Sequence, residues 1–95
     1  MHLITRKTLR SFWQKYPDSQ TALERWSKII EKNNFDSFAQ LRATFPSADL
    51  VDKLIVFNIG GNKYRMIAAI HFNRQKVYIR HILTHAEYDT NNWKS

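Results

Sequence analysis

Apolar side chains in the first 46 residues recur at the spacing of amphipathic helices. The first set follows i, i+3, i+4, i+7 spacing and consists of Leu9, Phe12, Trp13 and Tyr16. A second set consists of Leu23, Trp26, Ile29 and Ile30. Each spacing predicts a helix that buries one face, so these aromatic residues are expected in the core. Pro17 predicts the end of the first helix, and Asn33–Asn34 predicts the end of the second.

Polar residues indicate where the later helices begin. The second helix is predicted to start near Asp18 or Thr21, and Glu24 stands at capping-box spacing from Thr21. Ser37 and Gln40 repeat this spacing and predict a further short helical turn. The first half of the chain is therefore expected to be helical.

After residue 50 the pattern changes to short apolar runs separated by turn residues. Strands are predicted at residues 54–59, 64–72 and 76–84. Gly60–Asn62 tolerates positive φ and Asn73–Gln75 forms the next turn, so both connections are short. Short connections imply antiparallel pairing, and residues 1–4 are a candidate edge strand. The sequence therefore predicts one α+β domain over residues 1–95, with two helices packed on a small twisted antiparallel sheet.

The turns also predict which side chains share a face of this sheet. With two-residue turns at Gly61–Asn62 and Arg74–Gln75, Arg65 would lie opposite both Asn58 and Thr84. The free face is then predicted to carry Asn58, Arg65, Thr84, Arg80 and His71. The other face, toward the helices, is predicted to carry Met66, Ala68, Ile70 and Phe72. A slip of one residue in either hairpin would break this grouping.

Charge and composition limit the kinds of partner and site that this chain is expected to have. Fifteen Lys and Arg against eight Asp and Glu give a formal net charge of +7, which favours a polyanionic partner such as nucleic acid or an acidic protein. There is no cysteine, the carboxylates are dispersed, and His81 and His85 are four apart on a predicted strand, so no metal site and no cofactor are predicted. No apolar stretch approaches the ~20 residues of a membrane span, and the chain is expected in the cytoplasm.

The remaining reactive groups are cations, tyrosines and histidines, several of them in the segment "THAEYD", residues 84–89, at the predicted end of the last strand. These groups suffice to cleave RNA without a metal, because RNA supplies its own nucleophile, the 2′-hydroxyl. A histidine can move the protons, and an arginine can hold the phosphate with its planar fork.

The C-terminal half also resembles a known family. "FNIGGNKYRMIAAIHFNRQKVYIRHILTHAEYD", residues 57–89, is similar to the C-terminal half of the HigB-type toxins of the RelE superfamily, and "MHLIT" with the following helix resembles the same family. The resemblance implies the RelE-like microbial RNase fold and a bacterial type II toxin. Such a toxin would cleave mRNA in the ribosomal A site, and a HigA-like helix-turn-helix antitoxin would silence it in a toxin–antitoxin hetero-oligomer.

Site residues follow from the resemblance, position by position. It implies catalytic roles for Arg65, which would bind the scissile phosphate, and for His85 and Tyr88 in "THAEYD". The residues expected to contact the RNA backbone are Lys53, Asn62, Lys63 and Arg80. His71 and His81 are expected to be ordinary sheet residues.

The sequence leaves two other classes of function open. The first is a nucleic-acid-binding protein without catalysis, in which the two helices joined at Pro17 act as a helix-turn-helix. Trp13, Trp26 and Ile30 argue against it, because the core uses much of the helical surface that would read a groove. The second is a module that keeps the fold and only binds its antitoxin.

Overall fold

Residues 1–94, which the computed structural model describes, form an α+β fold with helices packed on a five-stranded mixed sheet. In chain order the elements are β1 (His2–Leu3), α1 (Arg6–Lys15), α2 (Gln20–Lys32), α3 (Phe38–Thr44), β2 (Asp49–Val51), β3 (Leu54–Ile59), β4 (Tyr64–His71), β5 (Lys76–Thr84) and α4 (His85–Asp89). Short 3₁₀ turns lie at Pro17–Ser19, Phe72–Arg74 and Asn92–Lys94. The predicted fold class is confirmed.

The helices α1 and α2 bury the faces that their periodicity predicted. Leu9, Leu23 and Ile30 are buried, and the ring of Trp26 meets that of Phe57 on the sheet at 5.4 Å. The predicted aromatic residues of α1 pack against the same core while staying partly exposed. This core fills the space between the helices and the inner face of the sheet.

Two predicted helix starts have different outcomes. Ser37 caps α3 as predicted, because its hydroxyl accepts the backbone N–H of Gln40 at 3.2 Å. The capping box at Thr21 is wrong: α2 begins at Gln20, and the carboxylate of Glu24 accepts the side-chain amide of Gln20 at 2.8 Å. The preceding 3₁₀ turn feeds directly into the helix and leaves Thr21 inside its first turn.

The strand order across the sheet is β1-β5-β4-β3-β2. Strands β3 to β5 pair antiparallel, as their short connections predicted. Strand β2, which the sequence analysis did not predict, pairs antiparallel with β3. Residues His2–Leu3 form the expected edge strand, but β1 pairs parallel to β5, so the sheet is mixed rather than purely antiparallel. The helices α1 and α2, not a hairpin turn, follow β1 along the chain, and such a connection leaves the strand direction free.

The predicted register is correct for the first hairpin and wrong for the second. Asn58 pairs with Arg65, but Arg65 pairs with Leu83 rather than with Thr84, which pairs with Tyr64. The second connection is longer than predicted, because a 3₁₀ turn precedes Gln75 at φ 55°. Because Thr84 pairs with Tyr64, the chain neighbour of Arg65, it lies on the opposite face of the sheet from Arg65.

A β-bulge in β5 is what moves Thr84 off the predicted face, because the longer turn alone shifts the pairing by two residues and leaves each side chain on its predicted face. Ile67 pairs with His81 and Ala68 with Ile79, so Arg80 is the extra residue of β5. Arg80 and His81 are consequently both exposed. His71 stays on the same face, opposite Lys76, while the predicted inner residues Met66 and Ala68 are fully buried toward the helices.

The face of the sheet turned away from α1 and α2, here called the outer face, is only partly open. Val56 and Ile67 form a second small core there with Trp93, which comes from the C-terminal 3₁₀ turn. Leu83 and Tyr88 pack against this cluster. The C-terminal segment thus covers the β3 side of the outer face, and the β5 side remains exposed.

Candidate active site

The segment "THAEYD" forms a capped helix rather than a strand end or tail. Thr84 ends β5 and caps α4: its hydroxyl accepts the Glu87 N–H at 3.2 Å, and a Glu87 carboxylate oxygen accepts the Thr84 N–H at 2.9 Å. The hydrogen bond from the Thr84 backbone lowers the pKa of Glu87. This reciprocal cap fixes the start of α4 directly after β5, and Tyr88 of that helix packs on the outer face.

Arg65 and Tyr88 meet on the outer face at the start of β4. The guanidinium carbon of Arg65 lies 5.6 Å from the ring centroid of Tyr88, within the range of a cation–π contact. Nη1 of Arg65 also donates to the carbonyl of Tyr64 at 3.2 Å. Arg65 is half-buried, so its fork has a restricted range of positions and still reaches solvent.

The ring of Trp93 stacks on that of Tyr88. The two rings stack with centroids 5.2 Å apart and an interplanar angle of 14°, and the indole N–H of Trp93 donates to the carbonyl of Tyr88 at 3.0 Å. Trp93 is buried against Val56 and Ile67. The stack therefore connects Arg65 to the packed part of the outer face.

His85 is paired with a carboxylate on its own helix. Its Nδ1 lies 3.0 Å from Oδ2 of Asp89, one turn later, and both side chains are about half exposed. The backbone N–H of His85 donates to the carbonyl of Lys63 at 3.1 Å, which joins the start of α4 to the turn before β4. A proton on Nδ1 directed at Asp89 leaves Nε2 as the nitrogen that can exchange a proton with a substrate.

Lys63, predicted to contact RNA, directs its side chain toward the helical layer. Its ammonium lies 3.2 Å from a carboxylate oxygen of Asp18, and the hydroxyl of Tyr64 donates to the other oxygen at 2.6 Å. The hydrogen bond from Tyr64, and then that from Lys63, lower the pKa of Asp18. The hydrogen bond between Tyr64 and Asp18 also raises the pKa of Tyr64 to about 12. This triad fastens the start of β4 to the 3₁₀ turn before α2.

The other predicted RNA contacts are spread over the sheet. Asn62 lies exposed in the turn before β4, near the Arg65 end, and Arg80 lies at the bulge of β5. Lys53 lies exposed in the turn between β2 and β3, five residues before Asn58 on the strand that pairs with β4. That separation corresponds to about 17 Å along a strand, so Lys53 is not beside Arg65.

Two residues of this neighbourhood, Asp89 and Trp93, were not predicted from the sequence. Asp89 has i, i+4 spacing to His85, which brings the two side chains together only because "THAEYD" forms a helix. His81, expected to be an ordinary sheet residue, lies exposed on β5 beside the bulge. Trp93 gives no local signal, because its contacts with Val56 and Ile67 are distant in sequence.

Two other kinds of feature, a metal-binding cluster and a membrane-spanning helix, are absent from the described residues. Within residues 1–94, His, Asp and Glu side chains form no group of three that could hold a metal ion. Among the helices of that same range, none has both the length and the apolar character needed to cross a bilayer.

Comparison with known proteins gives concordant results. Residues 19–91 match the model of the HigB toxin family, described as a RelE-like toxic component of a toxin–antitoxin system. The chain is 46% identical to the mRNA interferase toxin HigB of Escherichia coli strain K12 over 94% of its own length and 88% of that protein. It shares the same identity and coverage with the mRNA interferase HigB of Shigella flexneri. With the HigB of Escherichia coli O6:H1 strain CFT073 it is 34% identical over 94% of its length and 89% of the relative.

Proposed function

This chain belongs to the HigB toxin family, and we propose that it is an mRNA endoribonuclease that inhibits translation as the toxin of a type II toxin–antitoxin system. The observation that carries the proposal is the contact between Arg65 and Tyr88 on the outer face. The helix α4, to which Tyr88 belongs, also carries the His85–Asp89 pair. These groups supply what cleavage of RNA by its own 2′-hydroxyl requires.

Arg65 is proposed to bind the scissile phosphate. Its guanidinium can direct two N–H groups at two phosphate oxygens, and its charge persists at every physiological pH. The half-buried position against Tyr88 reduces the freedom that the side chain loses when the phosphate binds. Such a preorganised donor stabilises the additional negative charge of the pentacoordinate phosphorus.

His85 and Tyr88 are proposed to transfer protons and to orient the substrate. In the reaction the 2′-oxygen forms a bond to phosphorus and gives up its proton, while the bond from phosphorus to the 5′-oxygen breaks and that oxygen gains a proton. Nε2 of His85 is suited to one of these transfers, with Asp89 holding Nδ1. The Tyr88 hydroxyl can orient the substrate or donate a proton. The products are a 2′,3′-cyclic phosphate and a 5′-hydroxyl, and the chemical step requires no metal ion.

The proposed substrate is mRNA in the ribosomal A site, which places the protein in the cytoplasm. Lys53, Asn62, Lys63 and Arg80 are proposed to contact the RNA backbone, Lys63 by exchanging its exposed ion pair with Asp18 for a phosphate. The charge of +7 favours approach to a polyanion. As the toxic component of a toxin–antitoxin system, the protein has an antitoxin as its partner. We propose that this antitoxin is a HigA-like helix-turn-helix protein that forms a hetero-oligomer with the toxin.

The test is induction of the wild-type protein with and without the antitoxin gene, followed by mapping and chemical analysis of the ends of a translated message. Growth arrest that the antitoxin relieves, with 5′-hydroxyl and cyclic phosphate ends at new sites, is the expected result. Ends that carry a 5′-phosphate would indicate attack by water and contradict the 2′-hydroxyl mechanism. Normal growth at high levels of folded toxin would contradict the endoribonuclease activity. It would instead support a module that only binds its antitoxin.

A further inference from the structure

The open part of the outer face carries cations and aromatic rings but no carboxylate. Neither β4 nor β5 contains an Asp or Glu. His71 pairs with Lys76, which pairs with His2 on the edge strand β1, so these three residues form a row across the sheet. Tyr78, opposite Ala69, and Arg80, at the bulge, lie on the same face. The C-terminal segment covers Val56 and Ile67 on the other side and leaves this strip open.

Within the strip, His71 and Tyr78 form an aromatic pair. Their ring centroids are 5.3 Å apart at an interplanar angle of 77°, so one ring presents its edge to the face of the other. His71 is exposed and Tyr78 is half-buried. Two rings at nearly a right angle make a corner, in which a planar group can stack on one ring and contact the edge of the other.

We propose that His71 and Tyr78 form a base-binding subsite for single-stranded RNA that flanks the scissile phosphate. The inference rests on the proposed function and adds a second contact region to it. His71 lies six residues beyond Arg65 on the same strand and the same face, a distance of about 20 Å. A single strand that crosses the outer face from Arg65 reaches this pair after several nucleotides.

The chemistry of the strip favours RNA over an antitoxin segment. Every base has a π-face that can stack on an aromatic ring, while the phosphates between the bases need cations. Arg80 lies between Arg65 and the His71–Tyr78 pair, and Lys76 lies beside that pair. Arg80 and His81, exposed on β5, connect the strip to the proposed phosphate site at Arg65 past the covered Ile67. The strip therefore offers both kinds of contact that bind a single strand without reading its sequence strictly.

The experiment is single-turnover cleavage of a defined message on programmed ribosomes, with toxin titrated to separate the half-saturating concentration from the limiting rate. Tyr78→Ala should raise the half-saturating concentration about five- to hundred-fold, because one stacked base is lost. The limiting rate should stay near that of the wild type, since Tyr78 does not touch the reacting phosphate. His71→Ala should act in the same direction. Tyr78→Phe should restore binding, because it keeps the ring.

Messages that carry one abasic nucleotide identify the contact directly. Moved through the positions on both sides of the cleavage site, the abasic nucleotide should weaken binding of the wild type at one position several nucleotides away. At that position it should leave Tyr78→Ala unaffected. Lys7→Ala, an exposed change on α1, serves as the control and should behave as wild type.

Three results would overturn the subsite. They are unchanged half-saturating concentrations for Tyr78→Ala and His71→Ala, a Tyr78→Phe variant as weak as Tyr78→Ala, and a Tyr78→Ala toxin that cleaves normally but escapes its antitoxin. The last result would assign the strip to the antitoxin. Absence of cleavage by the wild type, or full activity of folded Arg65→Ala, would instead overturn the proposed function, and the subsite with it.

Discussion

The guanidinium of Arg65 lies over the ring of Tyr88, with 5.6 Å between Cζ and the ring centroid. Arg65 belongs to β4, whereas Tyr88 belongs to the short helix that follows β5, so the contact joins two elements that the capped turn at Thr84 brings together. Tyr88 is in turn stacked on Trp93. The position of the proposed phosphate-binding group therefore depends on the C-terminal segment.

Trp93 is expected to be the anchor of that segment. Trp93→Ala should destabilise the protein by about 3 kcal/mol, because it removes a buried aromatic ring and the stack beneath Tyr88. Trp93→Phe should cost less, since it keeps a ring and loses mainly the indole N–H bond, worth about 1 kcal/mol. Urea unfolding measures both. In NMR spectra, the side-chain N–H signal of Arg65 should move in Trp93→Ala and stay nearly unchanged in Trp93→Phe. Wild-type stability of Trp93→Ala would contradict the anchoring role.

The His85–Asp89 pair predicts unequal effects of its two members. His85→Ala should lower the single-turnover rate about a hundred- to ten-thousand-fold if Nε2 moves a proton. Asp89→Asn should lower it only about two- to fivefold, because the pair is half exposed and such contacts are weak. Circular dichroism controls for folding. A loss in Asp89→Asn as large as that in His85→Ala would assign a direct role to the carboxylate.

The Asp18–Tyr64 hydrogen bond predicts a pH dependence of stability. Because the folded protein lowers the pKa of Asp18 below its usual 3.8, the contribution of this carboxylate is present above that pH and lost as the pH falls through the lowered pKa. Because Tyr64 has its pKa raised from 10.0 to about 12, its contribution is complete below pH 10 and lost as the pH rises through 12. The stability difference between wild type and Asp18→Asn should therefore be largest between these limits and shrink in acid. Urea unfolding across pH is the measurement, and a difference that grows in acid would contradict the assignment.

Arg80 and Arg10 make a matched pair of exposed arginines, one on the open outer face and one on the outside of α1. If Arg80 contacts an RNA phosphate, Arg80→Ala should weaken binding and reduce the slope of log affinity against log salt by about one. Arg10→Ala should leave that slope at the wild-type value. Half-saturating toxin concentrations over a range of salt, compatible with intact ribosomes, give both slopes. Equal slopes for the two variants would show that Arg80 does not contact an RNA phosphate.

The sequence predicted those parts of the fold that residues close together in the chain determine. The spacing of apolar residues predicted α1 and α2, and Gly60 and Gly61, at φ 61° and 70°, form the turn that places Asn58 opposite Arg65. The predicted position of Arg65 on the face away from the helices is confirmed for the same reason. Its predicted role, like those of His85 and Tyr88, stays a prediction.

What could not be predicted depends on contacts distant in sequence or on hidden irregularities. The bulge at Arg80 has no sequence signature, so the pairing of β5 was misplaced and Thr84 was assigned to the wrong face. Thr84 and Glu87 do carry the spacing of a capping box, but the helix that follows has only 5 residues, too few for apolar periodicity to predict it beyond the predicted strand end at residue 84. The burial of Trp93 on the outer face required the folded sheet.

The most direct test of the account is the single-turnover cleavage rate of folded Arg65→Ala on programmed ribosomes. Loss of one preorganised donor to the developing charge typically costs about a hundred- to thousand-fold in rate. Arg65→Lys should recover only part of this loss, because an ammonium cannot hold two oxygens as the fork does. We expect a drop of that size with retained circular dichroism and antitoxin binding. A rate close to wild type for folded Arg65→Ala would show that the active site lies elsewhere.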